Sequence, residues 1–160
     1  MKQRYSIIPR TLCFIFHKDE VLLIKGSEEK EWTGIYNALG GHIEKGEGIV
    51  DSANREIKEE CGLEPKDTKL KGVIHACDFF EKNVMIFVTS STSDTKQVVC
   101  DHNEGTLEWK KISDLGSIKI FDDIKPILKQ LVSMKKDGVF LALSQFDGKG
   151  KLLKFDIQTN

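Results

Sequence analysis

The chain has 160 residues, of which 31% are charged and 39% hydrophobic, and its formal net charge is −1. This length suits one domain with one core, and the composition is that of a globular protein rather than a disordered one. Balanced charge gives no support for broad electrostatic binding to a nucleic-acid polymer or an anionic membrane, so we expect a small-molecule ligand at a local site.

The cysteines and the N-terminus point to an intracellular protein. The four cysteines form no CxxC pair and stand far apart, at Cys13, Cys61, Cys77 and Cys100. We therefore expect reduced thiols in a cytoplasmic protein rather than a disulfide or zinc framework. Pro9 and Arg10 interrupt the apolar N-terminal run, which is neither a convincing signal peptide nor a membrane span. Residues 1–160 are predicted to form a single domain, as a monomer or a homodimer.

The first half of the chain predicts three strands and a helix. Two short apolar runs on either side of "HKDE" predict a hairpin, and "SEEKEWTGIYNALGG" predicts a loop leading into a short strand. A helix is predicted from about residue 48 to residue 61, followed by Gly62 as the left-handed residue that ends it. Its apolar residues recur at helical spacings of three and four, at Val50, Ala53, Ile57 and Cys61.

The second half predicts a hairpin around residues 81–83, a short strand in "GTLEWKKISDL" and a second helix in "FDDIKPILKQLVSMKKD". Pro126 fits only near the first turn of that helix. A last hairpin, about residues 138–157, is expected to cover a sheet edge or to pair with a second copy of the chain. The order β-β-β-α-β-β-β-α-β-β indicates an α+β domain with a mixed sheet between helices.

Three carboxylates project from one side of the first helix, since Glu56, Glu59 and Glu60 fall within about 100° of a helical wheel. Neighbouring carboxylates repel one another, so all three can stay ionised at low free-energy cost only with a positive partner. A hard divalent cation such as Mg²⁺ is the natural partner. Arg55 stands beside Glu56 and can orient a carboxylate by charge-assisted hydrogen bonds. Taken alone, "REIKEE" also suits an ordinary solvated helix face.

Two neighbouring features suit the same cation site. Gly40 and Gly41 permit a tight turn and a close approach of the backbone, where a main-chain carbonyl can serve as a further ligand. Glu47, at the start of the helix, complements the helix dipole and can reach the acidic cluster through Arg55 or through water.

The segment from residue 41 to residue 63 resembles the signature of the Nudix hydrolase family, G-x5-E-x7-R-E-U-x-E-E-x-G-U, where U is aliphatic. Every fixed position matches at the correct spacing, at Gly41, Glu47, Arg55, Glu56, Ile57, Glu59, Glu60, Gly62 and Leu63. The resemblance implies an α/β/α sandwich around a mixed sheet, to which the C-terminal hairpin is an addition. It also implies hydrolysis of a nucleoside diphosphate linked to another group, X.

The same resemblance implies roles for particular residues. The implied ligands of Mg²⁺, for which Mn²⁺ can substitute, are Glu56, Glu59, Glu60, the Gly40 carbonyl and Glu104. The implied catalytic residues are Glu47, Arg55, Glu56 and Glu59, with Glu56 a candidate for orienting or deprotonating the attacking water. Glu104 comes from a loop before a late strand, where an ordinary loop carboxylate is an equal alternative.

Residues outside the signature indicate the substrate. Asn37, in the segment "WTGIYNALGG", resembles the base-reading asparagine of 8-oxo-dGTP diphosphatases. Its amide both donates and accepts hydrogen bonds and so can read a purine edge; capping of a loop is the alternative. Asp122 and Asp123 resemble a base-reading aspartate pair, in which a neutral carboxyl donates to an oxo group, but Asp is also a normal helix N-cap. Phe121 or Trp32 can stack on a base, or belong to the core.

The predicted reaction converts a purine nucleoside triphosphate, oxidised or not, to the monophosphate and pyrophosphate. The alternatives are hydrolysis of ADP-ribose, a sugar nucleotide or a dinucleoside polyphosphate, and a non-catalytic nucleotide-binding module. Three lysines of the C-terminal hairpin are expected to be solvated edge residues rather than phosphate ligands, namely Lys149, Lys151 and Lys154.

Overall fold

The structure, a computed structural model, describes residues 5–99 and 105–158. Its elements in chain order are β1 (Ile8–His17), β2 (Glu20–Gly26), β3 (Tyr36–Asn37), α1 (Ile49–Cys61), β4 (Lys66–Phe79), β5 (Lys82–Thr92), β6 (Gly105–Lys111), a 3₁₀ turn (Ile112–Asp114), α2 (Ile124–Ser133), β7 (Phe140–Phe146) and β8 (Leu152–Gln158). The predicted order of strands and helices is confirmed.

The strands form one mixed sheet in the order β3-β2-β1-β5-β4-β7-β8, and β6 pairs with β2. The β1–β5 and β4–β7 pairs are parallel, whereas the hairpin pairs β1–β2, β4–β5 and β7–β8 are antiparallel. Because β7 adds to the edge of β4, the C-terminal hairpin covers a sheet edge, which is the first of its two expected roles.

Each face of the sheet is covered by one helix. Along β1, Cys13 and Ile15 pack with α1, whereas Phe14 between them packs with α2. This alternation follows from the strand itself, since successive side chains point to opposite faces. The predicted α/β/α sandwich is therefore confirmed.

The first helix begins and ends close to the predicted positions. Gly62 follows it with φ +70° and donates its N–H to the Lys58 carbonyl at 3.0 Å, as a left-handed C-cap should. The predicted apolar stripe of this helix is partly wrong, because the side chain of Val50 is 39% exposed and Ser52 is buried instead. Val50 lies in the first turn, before the part of the helix that packs on the sheet.

The cysteines in the described part of the chain are free thiols, at Cys13, Cys61 and Cys77. Cys100 lies outside the described residues. Among the helices of residues 5–99 and 105–158, none combines the length and the apolar character that a membrane crossing requires.

The packing of α1 can be tested with two substitutions in the same helix. We expect Ile57→Ala to lower the free energy of unfolding by about 2–5 kcal/mol, because it leaves a cavity at a side chain that is 0% exposed. Val50→Ala is the matched control and should cost less than about 1 kcal/mol. Urea unfolding followed by circular dichroism measures both, and equal losses would contradict the packing.

Candidate active site

The turn before α1 lies directly against β1. The Thr11 N–H donates to the Gly41 carbonyl at 2.8 Å, and the Cys13 N–H donates to the Leu39 carbonyl at 2.8 Å. Gly40 has φ +133°, and a Cβ there would lie 2.3 Å from the Thr11 carbonyl oxygen. Only glycine permits this approach.

The same turn also meets the carboxylates of α1. A Cβ on Gly41 would lie 2.4 Å from Glu56 Oε1, so the second glycine leaves room for that carboxylate. The Gly40 N–H donates to Glu60 Oε2 at 2.9 Å. The structure therefore brings the Gly40 main chain, Glu56 and Glu60 together, and the contact with Glu60 is made by the Gly40 N–H.

Arg55 links the remaining acidic residues of the signature. Its Nε and Nη2 donate to the two carboxylate oxygens of Glu47, at 2.8 and 3.0 Å. Its Nη1 donates to Glu56 Oε1 at 2.8 Å and to Glu59 Oε2 at 3.1 Å, and its Nη2 donates to the His42 carbonyl at 3.1 Å. A guanidinium can do this because it carries five N–H donors in one plane.

These contacts fix the charges of the cluster. Hydrogen bonds from Arg55, and then from the Glu44 backbone N–H, lower the pKa of Glu47 from 4.5 to about 2. The pKa of Arg55 is raised above its ordinary value, first by Glu47 and then by Glu56. The side chains of Glu47 and Glu56 are 15% and 14% exposed, whereas that of Glu59 is 61% exposed. Arg55 thus fixes an inner pair of carboxylates and leaves Glu59 facing solvent.

The donor set fits a hard divalent cation. Within residues 5–99 and 105–158, no three acidic, histidine or cysteine side chains are already gathered around a common point. However, Arg55 engages only one oxygen each of Glu56 and Glu59. Carboxylate oxygens and a main-chain carbonyl are the ligands that such cations prefer. Glu104, the further predicted ligand, lies outside the described residues.

A cavity of about 820 Å³ extends from this turn to the predicted base-binding residues. Gly40 and Glu60 line it, and so do all four predicted substrate residues, Asn37, Phe121, Asp122 and Asp123. Its volume lies within the range of roughly 300–1,000 Å³ that is common for small-molecule sites. Residues that are far apart in the sequence therefore share one site.

Asn37 has both of the roles that its sequence context allowed. It pairs with Ile24 of β2, and its side-chain Oδ1 accepts the N–H of Ala38 at 2.8 Å, which is a local cap. Among the described residues no hydrogen bond engages its amide nitrogen, so that donor remains available to a ligand.

Asp123 occupies the N-cap position of α2, yet its side chain makes no capping hydrogen bond. Burial first, and then the nearby charge of Asp122, raise its pKa from 3.8 to about 6. The residue also lines a recess of about 90 Å³, together with Phe121 and Arg10. Phe121 in turn lies 5.9 Å from Trp32, between ring centroids. A carboxyl group in this position changes its protonation state near neutral pH.

Two features of the site were not predicted from the sequence. Tyr36 donates to Glu108 Oε2 at 2.8 Å, and Lys110 lies 2.5 Å from the same carboxylate, a network that holds the short strand carrying Asn37. Lys149 and Lys151 are exposed, as expected of solvated edge residues, and they also line the cavity. The position of these two lysines at the cavity depends on contacts between hairpins that are distant in the sequence, and no local sequence pattern predicts such contacts.

Residues 7–131 match the family model described as the NUDIX domain. The chain belongs to the Nudix family. It is 33% identical over 149 residues to the uncharacterized Nudix hydrolase YvcI of Bacillus subtilis, covering 91% of this chain and 90% of that protein. It is 29% identical over 110 residues to the NAD-capped RNA hydrolase NudC of Pseudomonas fluorescens, covering 68% of this chain but 38% of NudC.

The crystal structure of the MutT protein of Bacillus halodurans is similar over nearly the whole fold. Its TM-score is 0.83 at 26% identity, with 95% of this chain and 98% of that chain covered. The Nudix fold predicted from the signature is thus confirmed. The protein is a Nudix hydrolase, and Nudix hydrolases generally use divalent metal ions.

The Arg55–Glu47 pair predicts a specific acid dependence of stability. A carboxylate whose pKa is lowered on folding contributes stability that is present above its unfolded pKa and lost as the pH falls through its folded value. For Glu47 this window runs from pH 4.5 down to about 2. We therefore expect Glu47→Gln to lower the thermal midpoint at pH 7, and its difference from wild type to shrink across that window.

Circular dichroism melts between these pH limits measure the effect, and Glu44→Gln is the control, because Glu44 is exposed in the same loop. A difference between Glu47→Gln and wild type that stays constant down to pH 2 would contradict the assignment.

Proposed function

We propose that this Nudix hydrolase cleaves a purine nucleoside triphosphate, oxidised or not, to the monophosphate and pyrophosphate. The observation that carries the proposal is the single cavity that joins Gly40 and Glu60 to Asn37 and Asp123. Its oxygen-rich end suits phosphates held by a cation, and its amide and partly buried carboxyl suit the hydrogen-bonding edge of a purine.

The proposed cation is Mg²⁺, with Mn²⁺ as a substitute, held by the carboxylates of Glu56, Glu59 and Glu60 and by the Gly40 carbonyl. When bound, it would neutralise phosphate charge and lower the pKa of the attacking water. Glu104 remains a proposed further ligand.

The protein's own catalytic residues then have distinct proposed roles. Arg55 orients Glu56 and Glu59 through one oxygen of each, and Glu47 fixes the guanidinium from its other side. Glu56 is the less exposed of the two oriented carboxylates, and we assign it the task of orienting the attacking water or accepting its proton.

At the other end of the cavity, we assign base recognition to Asn37 and Asp123. The amide nitrogen of Asn37 donates to the base, and the protonated form of Asp123 donates to an oxo group. Phe121, with Trp32 beside it, offers a flat apolar surface on which a base can stack. Asp122 is exposed at the rim of the cavity, and we assign it a contact with the substrate there.

A second candidate substrate comes from a relative. The name of NudC gives NAD-capped RNA as its substrate, and NAD is also a nucleoside diphosphate derivative, but this chain spans only 38% of NudC. ADP-ribose, sugar nucleotides and dinucleoside polyphosphates belong to the same chemical class. A non-catalytic binding module is disfavoured, because every acidic position of the signature is retained.

Further proposals rest on composition alone. We propose that residues 1–160 act as one cytoplasmic domain, monomeric or homodimeric, with a small nucleotide rather than a nucleic-acid polymer as the preferred partner.

The substrate can be tested with a panel of nucleotides in Mg²⁺, with products separated by chromatography. We expect dGTP and 8-oxo-dGTP to be hydrolysed with higher kcat/KM than ADP-ribose, a sugar nucleotide or NAD, and pyrophosphate to be released. We expect Glu59→Gln to lower kcat by about 100-fold or more, since it removes a charge that the transition state requires. Glu44→Gln, outside the acidic cluster, should retain full activity.

Higher kcat/KM on ADP-ribose, a sugar nucleotide or NAD would replace the triphosphate with that compound. Undiminished turnover by Glu59→Gln would contradict the role of the helix carboxylates.

The raised pKa of Asp123 predicts how recognition depends on pH. Asp123, with a pKa of about 6, is mostly protonated below that pH and mostly ionised above it. We expect the KM of wild type for 8-oxo-dGTP to rise as the pH increases from 5 to 7, by up to about tenfold, as the donor form disappears. Asp123→Asn keeps a donor at every pH and should remove most of this dependence.

Asp122→Asn keeps the titrating carboxyl and should retain the pH dependence but move it to lower pH, because it removes a charge that raises the pKa of Asp123. If wild type and Asp123→Asn show the same KM profile, Asp123 is not the group that reads the base.

A further inference from the structure

Arg10 is a cationic residue of the substrate cavity that the proposed chemistry has not yet used. It lines the large cavity and also the smaller recess, which it shares with Gly40, Asn37 and Asp123. The residue is only partly exposed, yet among the described residues no hydrogen bond or ion pair engages its guanidinium group. A guanidinium carries five N–H donors, and partly buried polar groups usually have acceptors. Arg10 therefore has donors available to a ligand.

The alternation of β1 places this side chain on the face of the sheet that α2 covers. Leu12 and Phe14, two and four residues further along the strand, pack on that face, whereas Cys13 packs on the face of α1. Because successive side chains of a strand point to opposite faces, Arg10 shares the face of Leu12 and Phe14. Asp123, at the start of α2, lines the recess on the same face.

The backbone of Arg10 lies directly beside the turn formed by Gly40 and Gly41. Arg10 pairs with His42 in an antiparallel bridge, and the N–H of the next residue, Thr11, donates to the Gly41 carbonyl at 2.8 Å. Opposite residues of an antiparallel pair have Cα atoms about 4.5–5.5 Å apart. No strand separates Arg10 from the turn, so a phosphate held at the Gly40 carbonyl lies beside this arginine.

The two lysines at the tip of the C-terminal hairpin are placed differently. Lys149 and Lys151 are exposed, and the hairpin that carries them begins with β7. The turn pairs with the edge of β1 opposite β5, so four strand spacings separate it from β7. At about 4.8 Å per spacing, the separation is roughly 19 Å. A phosphate at the turn therefore meets Arg10 rather than these lysines.

The charge around the turn also favours a cationic partner for a phosphate. Glu60 and Asp122 line the same cavity as Arg10, and both are carboxylates that repel a phosphate when ionised. The planar fork of a guanidinium matches two oxygens of one phosphate, which gives a charge-assisted pair of hydrogen bonds.

We propose that Arg10 binds the α-phosphate of the substrate, the phosphate attached to the ribose. The inference rests on the proposed function, which places the base against Asn37 and Asp123 and the cation at the Gly40 carbonyl. In such a nucleotide the α-phosphate is the first phosphate after the ribose to reach the turn, and Arg10 lines both the recess and the cavity beside that turn. Arg10 thus makes binding depend on the 5′-phosphate as well as on the base.

Titrations followed by nuclear magnetic resonance, in the presence of Mg²⁺, test this contact without turnover, because a monophosphate has no diphosphate to cleave. We expect Arg10→Gln to weaken the binding of dGMP about tenfold or more, since it removes a charge-assisted pair of hydrogen bonds. Its affinity for deoxyguanosine should stay within about twofold of wild type, because that ligand has no phosphate. Arg10→Lys should recover part of the loss, since it keeps the charge but not the fork.

Lys154→Gln is the matched control, because it removes the same charge at a residue that pairs with Asp156 and lines neither the cavity nor the recess. It should bind both ligands as wild type does. The inference is overturned if Arg10→Gln binds dGMP as wild type does. It is also overturned if dGMP and deoxyguanosine weaken by the same factor, because Arg10 would then only support the shape of the recess.

Steady-state kinetics give a second readout. The α-phosphate is held in the ground state as well as in the transition state, so we expect Arg10→Gln to raise the KM for dGTP about tenfold, with kcat within about threefold of wild type. An unchanged KM with a lower kcat would overturn the assignment of Arg10 to substrate binding.

The monophosphate titrations separate this inference from the proposed function. If wild type hydrolyses ADP-ribose or NAD instead of the triphosphates, or no member of the panel, the proposed function fails by itself. AMP and adenosine then join dGMP and deoxyguanosine as ligands, since AMP carries the same phosphate. Weaker binding of a monophosphate by Arg10→Gln, with its nucleoside unaffected, supports the inference. No binding of either monophosphate to wild type overturns it.

Discussion

The acidic site depends on one guanidinium group. Arg55 binds both oxygens of Glu47 and one oxygen each of Glu56 and Glu59, so a single cation offsets the repulsion among three carboxylates. The spacing of the signature follows from this geometry. Glu56 and Glu59 lie one and four positions after Arg55 on the helix, and the turn brings Glu47 back to the same group.

The strand β1 is the platform on which the rest of the site is built. Its side chains alternate between the two helices, and its edge beyond the β1–β2 hairpin binds the Gly40–Gly41 turn through Thr11. Because the helix and the turn share this support, the Gly40 main chain and Glu60 meet at one end of the cavity. A buried sheet thereby gives rigidity to groups that a loop alone would leave mobile.

The outer parts of the cavity are contributed by less regular segments. A two-residue strand carries Asn37, the start of α2 carries Asp123, and the C-terminal hairpin carries Lys149 and Lys151. Residues supported by the sheet can thus carry the reaction, while changes in the outer segments alter which substrate group is recognised. The added hairpin brings positive charge to a cavity whose other end is acidic.

The sequence by itself determined the order of strands and helices, the end of α1 at Gly62 and the acidic cluster, because apolar periodicity and residue spacing are local properties. The tertiary structure decided the exposure of Val50, the raised pKa of Asp123 and the place of Lys149 and Lys151 at the cavity. Burial and shared cavities depend on which distant segments pack together. The contact of Phe80 with Gly150, which only the folded sheet creates, is an example.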